Sequence, residues 1–377
     1  MRILFTGGGT GGHFFPIIAV IRELRRIAEE EQILNVEIFY LGPDGFGEEL
    51  LQQEDVAHWR IGSGKMRRYA SLQNVFDIVK TLGGIVQALW KVFLVMPDVV
   101  FSKGGYGALP AVVASIIFRI PLIIHESDSV AGLVNRFSGR FAKRIGIAFS
   151  SAERDFPKNK TALVGIPIRK RIFGGNRAQA KENFEVFSDL PVIGIIGASQ
   201  GSEHINEVVL DILKELTDEF EVIHQTGARH LEEIKGEAGV TLEFGHKERY
   251  HPIGFLDEQS MREFYSASDV IVSRAGASSI FEIAGWGKPS LLIPLENSAQ
   301  NHQLKNAYDY AAVGAAHILE ESNLTPHILF AEIQRIASNT QFMLRMSEAA
   351  QRFSRIDAAE VIAREILQLG LHNKVGQ

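Results

Sequence analysis

A glycine-rich segment that ends in a histidine, Gly7–His13, follows a short apolar run at the start of the chain. Glycines at this density let backbone N–H groups approach an anion closely, because no Cβ atom stands in the way. A helix expected from about Ile17 would add the positive end of its dipole to the same place. His13 puts a titratable side chain beside it, so the segment predicts an anion-binding loop with a candidate general base.

This segment matches neither of two common nucleotide-binding motifs. A dinucleotide fingerprint needs Gly-x-Gly-x-x-Gly and an acidic residue about 20 residues later, at the end of the second strand. Here the second expected strand is followed by Gly42-Pro43-Asp44, and Asp44 lies too late and in a turn. A Walker P-loop needs Gly-Lys-Ser/Thr, which does not follow the glycines.

Composition indicates a globular protein of two domains. The length of 377 residues exceeds one ordinary core, and the net charge of −6 argues against general nucleic-acid binding. Residues 1–165 carry 19 Lys and Arg against 16 Asp and Glu, which would favour an anionic surface. The sequence contains no cysteine, and no signal peptide is recognised at its start. No uninterrupted apolar run reaches the roughly 18 residues of a membrane span, because Lys91 and Arg119 break the nearest candidates. The cytoplasm is therefore the expected compartment.

Apolar runs alternate with helical stretches, as in doubly wound parallel α/β proteins. The stretch from Gly165 to Pro191 interrupts this alternation with prolines, glycines and charges, and predicts the crossing between two domains. The expected strands are residues 3–6, 36–41, 99–102, 122–125 and 144–148, then 192–196, 221–225, 253–255, 270–273 and 290–293.

Six loops follow the carboxyl ends of these strands, where parallel sheets bind ligands. Two such edges facing each other would form a cleft for two substrates. The loops are residues 7–13, 102–107, 125–128, 197–201, 274–279 and 294–303.

Several motifs in a fixed order cover nearly the whole chain, and together they resemble the MurG family of glycosyltransferases. They are residues 7–13, 63–69, 101–106, 125–128, 131–135, 197–201 and 273–277, then Glu282 and residues 302–307. The resemblance implies a GT-B fold, in which two Rossmann-like domains face each other across a cleft. Residues 1–168 would form the acceptor and membrane domain, to which a helix at about 353–377 returns, and residues 169–352 would bind UDP-GlcNAc.

The resemblance also implies an activity. An inverting enzyme would transfer N-acetylglucosamine from UDP-GlcNAc to the C4 hydroxyl of MurNAc-pentapeptide in lipid I, the undecaprenyl-diphosphate-linked acceptor, and give lipid II for peptidoglycan synthesis. It would work as a peripheral protein on the cytoplasmic face of the bacterial plasma membrane.

Two positions depart from the pattern that is frequent in the family: Asp128 stands where many members have asparagine, and Ile166 stands where asparagine is frequent.

Matching to the family assigns residues to each ligand. Gly8, Gly9, Gly104 and Gly105 would hold the acceptor diphosphate. Leu256 would meet uracil through its backbone, Arg169 would lie near the nucleotide, and His302 and Gln303 near the sugar. The full donor set is Thr10, Gly11, Gly12, Asp128, Arg169, Ser199, Leu256, Ala277, Ser278, Ser279, Glu282, His302 and Gln303.

Loss of UDP builds negative charge on the β-phosphate, and backbone donors at helix N-termini can stabilise it without a metal. No Asp-x-Asp pair is present, so neither a tightly bound metal nor a cofactor is expected. Ser199 and Ser279 could instead only cap helices, and Glu282, which could bind a ribose diol, could instead only complement a helix dipole. The role of Arg274 stays ambiguous at this point, because an arginine in a loop is usually only solvated.

The acceptor hydroxyl needs a base, and His13 is the first choice because the pKa of histidine lies near neutrality. Glu126 and Asp128 are rivals on another loop of the same edge, while His125 is expected to be structural. His13 could instead only contact the acceptor diphosphate.

Apolar residues at helical spacing between Val75 and Phe93 follow a basic cluster, defined here as Lys65, Arg67 and Arg68. Basic residues beside an apolar face are typical of helices that lie on anionic membranes, although such a face more often packs in a core. Phe76, Val79 and Trp90 are the expected membrane contacts, together with the basic cluster.

Two rival functions remain open from the sequence. A UDP-GlcNAc 2-epimerase would share the fold and need no lipid contact. A sugar-nucleotide-binding partner subunit would lack catalysis, although the full two-domain chain with His13 argues against it.

Overall fold

The computed structural model describes residues 1–8, 11–43, 47–64, 72–197, 201–243, 245–296 and 298–375. The chain divides into two compact units. Unit 1 comprises Met1–Arg169 and Arg355–Gln377, and unit 2 comprises Lys170–Ser354. Each unit contains one sheet in which every described strand pair is parallel.

Unit 1 has a seven-stranded sheet of order β3-β2-β1-β4-β5-β6-β7. The central strands are buried on both faces, which is why they read as continuous apolar runs in the sequence. The strands are β1 Arg2–Thr6, β2 Glu37–Gly42, β3 Ala57–Arg60, β4 Val99–Ser102, β5 Leu122–Glu126, β6 Arg144–Ile147 and β7 Thr161–Leu163. The helices are α1 Gly11–Glu30, α2 Glu48–Gln53, α3 Leu72–Val95, α4 Leu109–Ile117, α5 Leu133–Gly139 and, from the end of the chain, α15 Ala358–Val375.

Helix α15 completes the core of unit 1. Ile362, Ile366 and Leu367 are buried in one apolar cluster with residues of α1, β1 and β4. At the rim, Arg26 of α1 forms an ion pair with Glu360 at 3.1 Å. The last helix is therefore a structural part of the unit that the first strands build.

Unit 2 has a six-stranded sheet of order β10-β9-β8-β11-β12-β13 around its own apolar core. Its strands are β8 Val192–Ile196, β9 Glu221–Gln225, β10 Tyr250–Ile253, β11 Val270–Ser273, β12 Ser290–Leu292 and β13 Ala316–Ile318. Its helices are α6 Arg177–Asn183, α7 Glu203–Asp211, α8 Leu213–Glu219, α9 Leu231–Thr241, α10 Glu258–Ala267, α11 Ala277–Trp286, α12 His302–Ala312, α13 Pro326–Ala337 and α14 Thr340–Phe353.

These two parallel sheets confirm the expected fold class, with differences in detail. The first helix begins at Gly11 and not near Ile17, so Gly12 and His13 lie in its first turn. The strand expected at residues 253–255 is Tyr250–Ile253. Three short strands, β3, β7 and β13, were not expected, and each lies at an edge of its sheet.

Helix α3 has a segment, Phe76–Val95, that is long and apolar enough to cross a membrane by length and composition alone. Only 22% of that window is buried. This differs from the sequence expectation, in which Lys91 breaks the apolar run.

Candidate active site

The loops after β1, β4 and β5 meet at one edge of the first sheet. Strand β4 lies between β1 and β5, and its Ser102 is paired with Thr6 on one side and Ile124 on the other. Because parallel strands end at the same edge, the glycine-rich loops and the Glu126–Asp128 loop follow neighbouring strand ends. The structure therefore brings together three of the loops that the sequence singled out.

Glycine is required at positions 8 and 105 by the close approach of two backbones. A Cβ atom added at Gly8 would lie 2.9 Å from the amide nitrogen of Gly107. One added at Gly105, where φ is +78°, would lie 3.2 Å from the Cα atom of Gly8. The two loops thus present bare backbone side by side, an arrangement suited to binding an anion.

His13 lies against this pair of loops. Its imidazole is half-buried, and Nε2 is 3.4 Å from the position that a Cβ atom of Gly105 would take. Its charge also acts on His125, the penultimate residue of β5. The first turn of α1 therefore places a titratable ring directly beside the glycine loops.

His125 is held as a structural residue. It is fully buried, and its Nε2 lies 2.7 Å from the carbonyl oxygen of Gly165. Burial, with the nearby charge of Lys103, lowers the pKa of His125 well below its ordinary value. The ring is therefore neutral at physiological pH.

Glu126 is buried, and its carboxylate accepts three hydrogen bonds. Oε1 accepts from the backbone N–H of Asp128 at 3.1 Å. Oε2 accepts from the backbone N–H of Gly132 at 3.0 Å and from Nδ2 of Asn135 at 2.9 Å. Burial and the neighbouring Asp128 raise the pKa of Glu126, while these donors oppose that rise. Both oxygens are thus engaged in shaping the loop, whereas Asp128 remains half-buried.

Replacing Glu126 with glutamine is expected to lower the free energy of unfolding by about 1–3 kcal/mol. The new amide group would turn one NH₂ toward N–H donors that now meet an oxygen. Chemical denaturation at neutral pH measures this, and Glu29→Gln on the exposed face of α1 is the control, expected to stay within about 0.5 kcal/mol of the parent. Equal unfolding midpoints for Glu126→Gln and the parent would contradict the shaping role.

In unit 2, helix α11 begins directly after the loop that follows β11. Gly276 precedes it, and within the described part of the chain no side chain caps its first turn. The backbone N–H groups of Ala277, Ser278 and Ser279 lie at this uncapped end, where an anion is stabilised. The two serines are half-buried.

Glu282, one turn into the same helix, is oriented by a buried phenol. The hydroxyl of Tyr265 donates to Oε2 of Glu282 at 3.2 Å. Tyr265 is fully buried, and its ring stacks on Trp286 with centroids 6.1 Å apart. The carboxylate therefore stands on a rigid support.

His302 and Gln303 open helix α12 after a strained turn. Gln300 and Asn301 have φ values of 60° and 53°, a region that side chains other than glycine enter rarely. The side-chain oxygen of Gln303 accepts a hydrogen bond from the backbone N–H of Leu295 at 3.0 Å. This bond connects the first turn of α12 to the loop that follows β12.

Two other expected donor residues have buried side chains. Leu256 lies in the loop after β10 and is 5% exposed. Arg169 is the last residue of the first segment of unit 1, and its guanidinium lies 4.1 Å from the ring centroid of Phe15.

A cavity of about 560 Å³ opens at the carboxyl edge of the second sheet. Of the expected donor residues, Gln303 is among those that line it. The remaining lining residues are Gly197, Gly201, Ser202, Glu203, His204, Glu207, Arg274, Leu295 and Glu321.

Arg274, whose role the sequence left ambiguous, is not a solvated loop residue. Its side chain is buried, and the guanidinium forms an ion pair with Glu321 and donates to Oγ of Ser202 at 2.7 Å. The bond to Arg274 lowers the pKa of Glu321 despite its partial burial. This ion pair joins residues 47 apart in the chain, and no motif in the sequence indicates it.

Some expected site residues lie outside the described residues. They are Gly9 and Thr10 of the first loop, Ser199 of the loop after β8, and the basic cluster Lys65, Arg67 and Arg68. Over the described part of the chain, no group of three or more His, Asp or Glu side chains is arranged to hold a metal ion.

Comparison with known proteins places this architecture in a family. Residues 3–147 match the glycosyltransferase family 28 N-terminal domain, and residues 192–362 match the family 28 C-terminal domain. The UDP-N-acetylglucosamine--N-acetylmuramyl-(pentapeptide) pyrophosphoryl-undecaprenol N-acetylglucosamine transferase of Lachnospira eligens is 34% identical over 94% of this chain and 96% of its own length.

Two solved structures are similar over nearly the whole chain. MurG of Acinetobacter baumannii has a TM-score of 0.74 and 25% identity, covering 97% of this chain and 99% of its own. The UDP-GlcNAc 2-epimerase of Neisseria meningitidis, bound to UDP-GlcNAc, has a TM-score of 0.67 at 14% identity, covering 98% of this chain and 100% of its own. The second likeness concerns the fold alone. With its GT-B architecture and its full-length identity to named transferases, the chain belongs to glycosyltransferase family 28, and within it to the MurG N-acetylglucosaminyltransferases.

Proposed function

We propose that this enzyme transfers N-acetylglucosamine from UDP-GlcNAc to the C4 hydroxyl of MurNAc-pentapeptide in lipid I, with inversion, and so forms lipid II for peptidoglycan synthesis. The observation that carries the proposal is the 34% identity over 94% of the chain to a transferase named for that donor sugar and lipid-linked acceptor. The glycine loops with His13 in unit 1 and the uncapped helix α11 in unit 2 give each half of the reaction a chemical basis.

Unit 1 would bind the acceptor. The bare backbones of Gly8, Gly104 and Gly105 would hold its diphosphate, because they let N–H groups reach phosphate oxygens. His13 beside them would take the proton from the attacking hydroxyl. Asp128 remains the alternative base, whereas Glu126 is disfavoured because its carboxylate oxygens already accept three hydrogen bonds.

Unit 2 would bind the donor. The N–H groups at the start of α11, from Ala277 to Ser279, would stabilise the charge that grows on the departing diphosphate. Glu282 would accept hydrogen bonds from the ribose hydroxyls, and the backbone at Leu256 would meet uracil. His302 and Gln303 would contact the sugar.

The reaction is tested with purified protein, UDP-GlcNAc and a soluble lipid I analogue. UDP release that depends on the analogue, with the disaccharide product identified by mass spectrometry, is the expected result. Epimerisation of UDP-GlcNAc without the analogue would support the rival enzyme that shares this fold. Binding of UDP-GlcNAc with neither reaction would indicate a non-catalytic partner subunit.

A membrane contact would bring the enzyme to its lipid acceptor. The outer face of α3 carries side chains more than half exposed, including Phe76, Val79 and Trp90. Its opposite face packs Ala88 and Val92 into the core of unit 1. A helix anchored to a folded unit along one side cannot be surrounded by lipid, so α3 would lie on the membrane surface rather than cross it.

The basic cluster Lys65, Arg67 and Arg68 would add electrostatic attraction to anionic lipids. Each residue is worth about 1 kcal/mol near such a surface, which gives about 3 kcal/mol for the three. Changing all three to glutamine is expected to release the protein from anionic vesicles at low salt, while activity on a short-chain soluble acceptor survives. Vesicle sedimentation across a salt series measures this, because screening weakens the attraction.

A matched control changes Lys158, Lys160 and Arg154 of the same unit to glutamine, and we expect it to keep vesicle binding. Equal binding of the parent and of the variant with the altered basic cluster would show that this cluster serves another purpose.

A further inference from the structure

A lysine that the proposed reaction does not use is buried at the acceptor edge of unit 1. Lys103 directly follows β4, and its side chain is fully buried. Its Nζ donates to Oγ of Ser127 in the loop after β5. Its backbone N–H donates to the carbonyl oxygen of Thr6 at the end of β1, at 2.9 Å. Lys103 thus connects all three segments of chain that build this edge.

The groups around its ammonium are unevenly charged. Glu126 and Asp128 on the loop after β5 attract it, while burial lowers the pKa of Lys103 to about 8. On the side of β5, Lys103 lowers the pKa of His125, which also responds to His13 of α1. At neutral pH the ammonium is therefore largely charged, and it offsets part of the negative charge of these two carboxylates.

Those carboxylates present a difficulty for the reaction proposed above. A diphosphate placed on the Gly8 and Gly105 backbones would be repelled by Glu126 and Asp128, since charges act strongly across a low-dielectric interior. A cation buried between the loops offsets that repulsion without touching the ligand. It also fixes the loop that carries Asp128, through Ser127.

We propose that Lys103 is a positioning residue for the acceptor half of the transfer: it holds the loop after β5 through Ser127 and offsets part of the negative charge of the Glu126 and Asp128 carboxylates, so that an anionic acceptor can bind beside His13. The inference rests on the proposed function and extends it to a residue that the family motifs leave without a role. It predicts that loss of Lys103 lowers kcat/KM for the acceptor and leaves the affinity for UDP unchanged.

The test compares Lys103→Met with the parent, using kcat/KM for the lipid I analogue from pH 6.5 to 9.5. At pH 7 we expect a loss of about 10- to 100-fold, the range for removing the charged partner of a buried group, with unchanged UDP affinity by calorimetry. Above about pH 9 the parent should fall toward the variant, because its own lysine has lost the proton. The variant should lack that alkaline decline.

Lys288→Met in unit 2 is the matched control. Burial lowers the pKa of Lys288 to about 8 as well, and its Nζ donates to the carbonyl oxygen of Ser268 at 2.7 Å. This variant should keep both the parental kcat/KM and its alkaline decline. A loss equal to that of Lys103→Met would mean that any buried lysine produces the effect, and would overturn the proposal.

Ser127→Ala keeps the proposal testable if Lys103→Met does not fold, since it removes only the hydroxyl that Lys103 contacts. We expect a several-fold lower kcat/KM for the acceptor and unchanged UDP affinity. Acceptor kinetics equal to the parent in Ser127→Ala, or in a folded Lys103→Met, would overturn the inference while leaving the proposed function intact. A parent that transfers no sugar to the analogue would overturn the proposed function, and the inference with it.

Discussion

Replacing His13 with alanine is expected to lower turnover on the lipid I analogue about 10²- to 10⁴-fold, the usual contribution of a general base. The imidazole lies beside the bare backbones of Gly8 and Gly105, where the proposed acceptor diphosphate would bind. UDP affinity should stay nearly unchanged, because the proposed donor contacts lie largely in unit 2. Steady-state turnover and UDP calorimetry on the same preparation separate the two effects.

His58→Ala is the control for this variant. His58 belongs to β3, an edge strand two strands away from β1 in the same sheet, so its loss should leave turnover within a few-fold of the parent. If His13→Ala itself retained turnover within a few-fold, His13 would be at most a diphosphate contact. Asp128→Asn would then be the variant to examine, since Asp128 is the remaining candidate on the same edge.

Replacing Glu282 with alanine is expected to weaken UDP binding about 10- to 150-fold. A hydrogen bond to a charged group contributes about 1.5–3 kcal/mol, which converts to that range. The expectation depends on the carboxylate being held in place, as it is by the hydroxyl of Tyr265 at 3.2 Å. Calorimetry with UDP measures the change, and uridine would show the same loss if the contact is to the ribose.

Tyr265→Phe separates orientation from contact. It removes the hydroxyl that supports Glu282 and leaves the stacked ring in place, so UDP binding should weaken by only a few-fold. If Glu282→Ala bound UDP as tightly as the parent, Glu282 would serve only to complement the dipole of α11. Another residue would then have to bind the ribose hydroxyls.

The central strands could be predicted from the sequence, whereas the edge strands could not. Strands such as β1, β4 and β8 are buried on both faces and therefore appear as continuous apolar runs. An edge strand pairs on one side only and tolerates polar residues, as in Ala57–Arg60 of β3. All four edges were missed or misplaced for this reason, since β10 and β13 bound the second sheet as β3 and β7 bound the first.

The candidate site divides in the same way. Glycine loops and His13 are recognisable because they are contiguous in the chain. The contacts of Lys103 with Ser127 and of Arg274 with Glu321 join residues 24 and 47 positions apart, and only the fold brings them together. Buried charges of this kind leave no local pattern, since a lysine or arginine in a loop is usually solvated.

Because α15 packs into unit 1, the unit whose strands are synthesised first is the last to complete its folding. A ribosome delivers β1 to β7 first, but the apolar cluster that contains Ile17 and Val99 also needs Ile366 and Leu367. Unit 2 is contiguous from Lys170 to Ser354 and can close before the last helix emerges. Unit 1 therefore keeps part of its apolar surface exposed until unit 2 has been synthesised, and truncation of α15 would destabilise the unit whose strands are synthesised first.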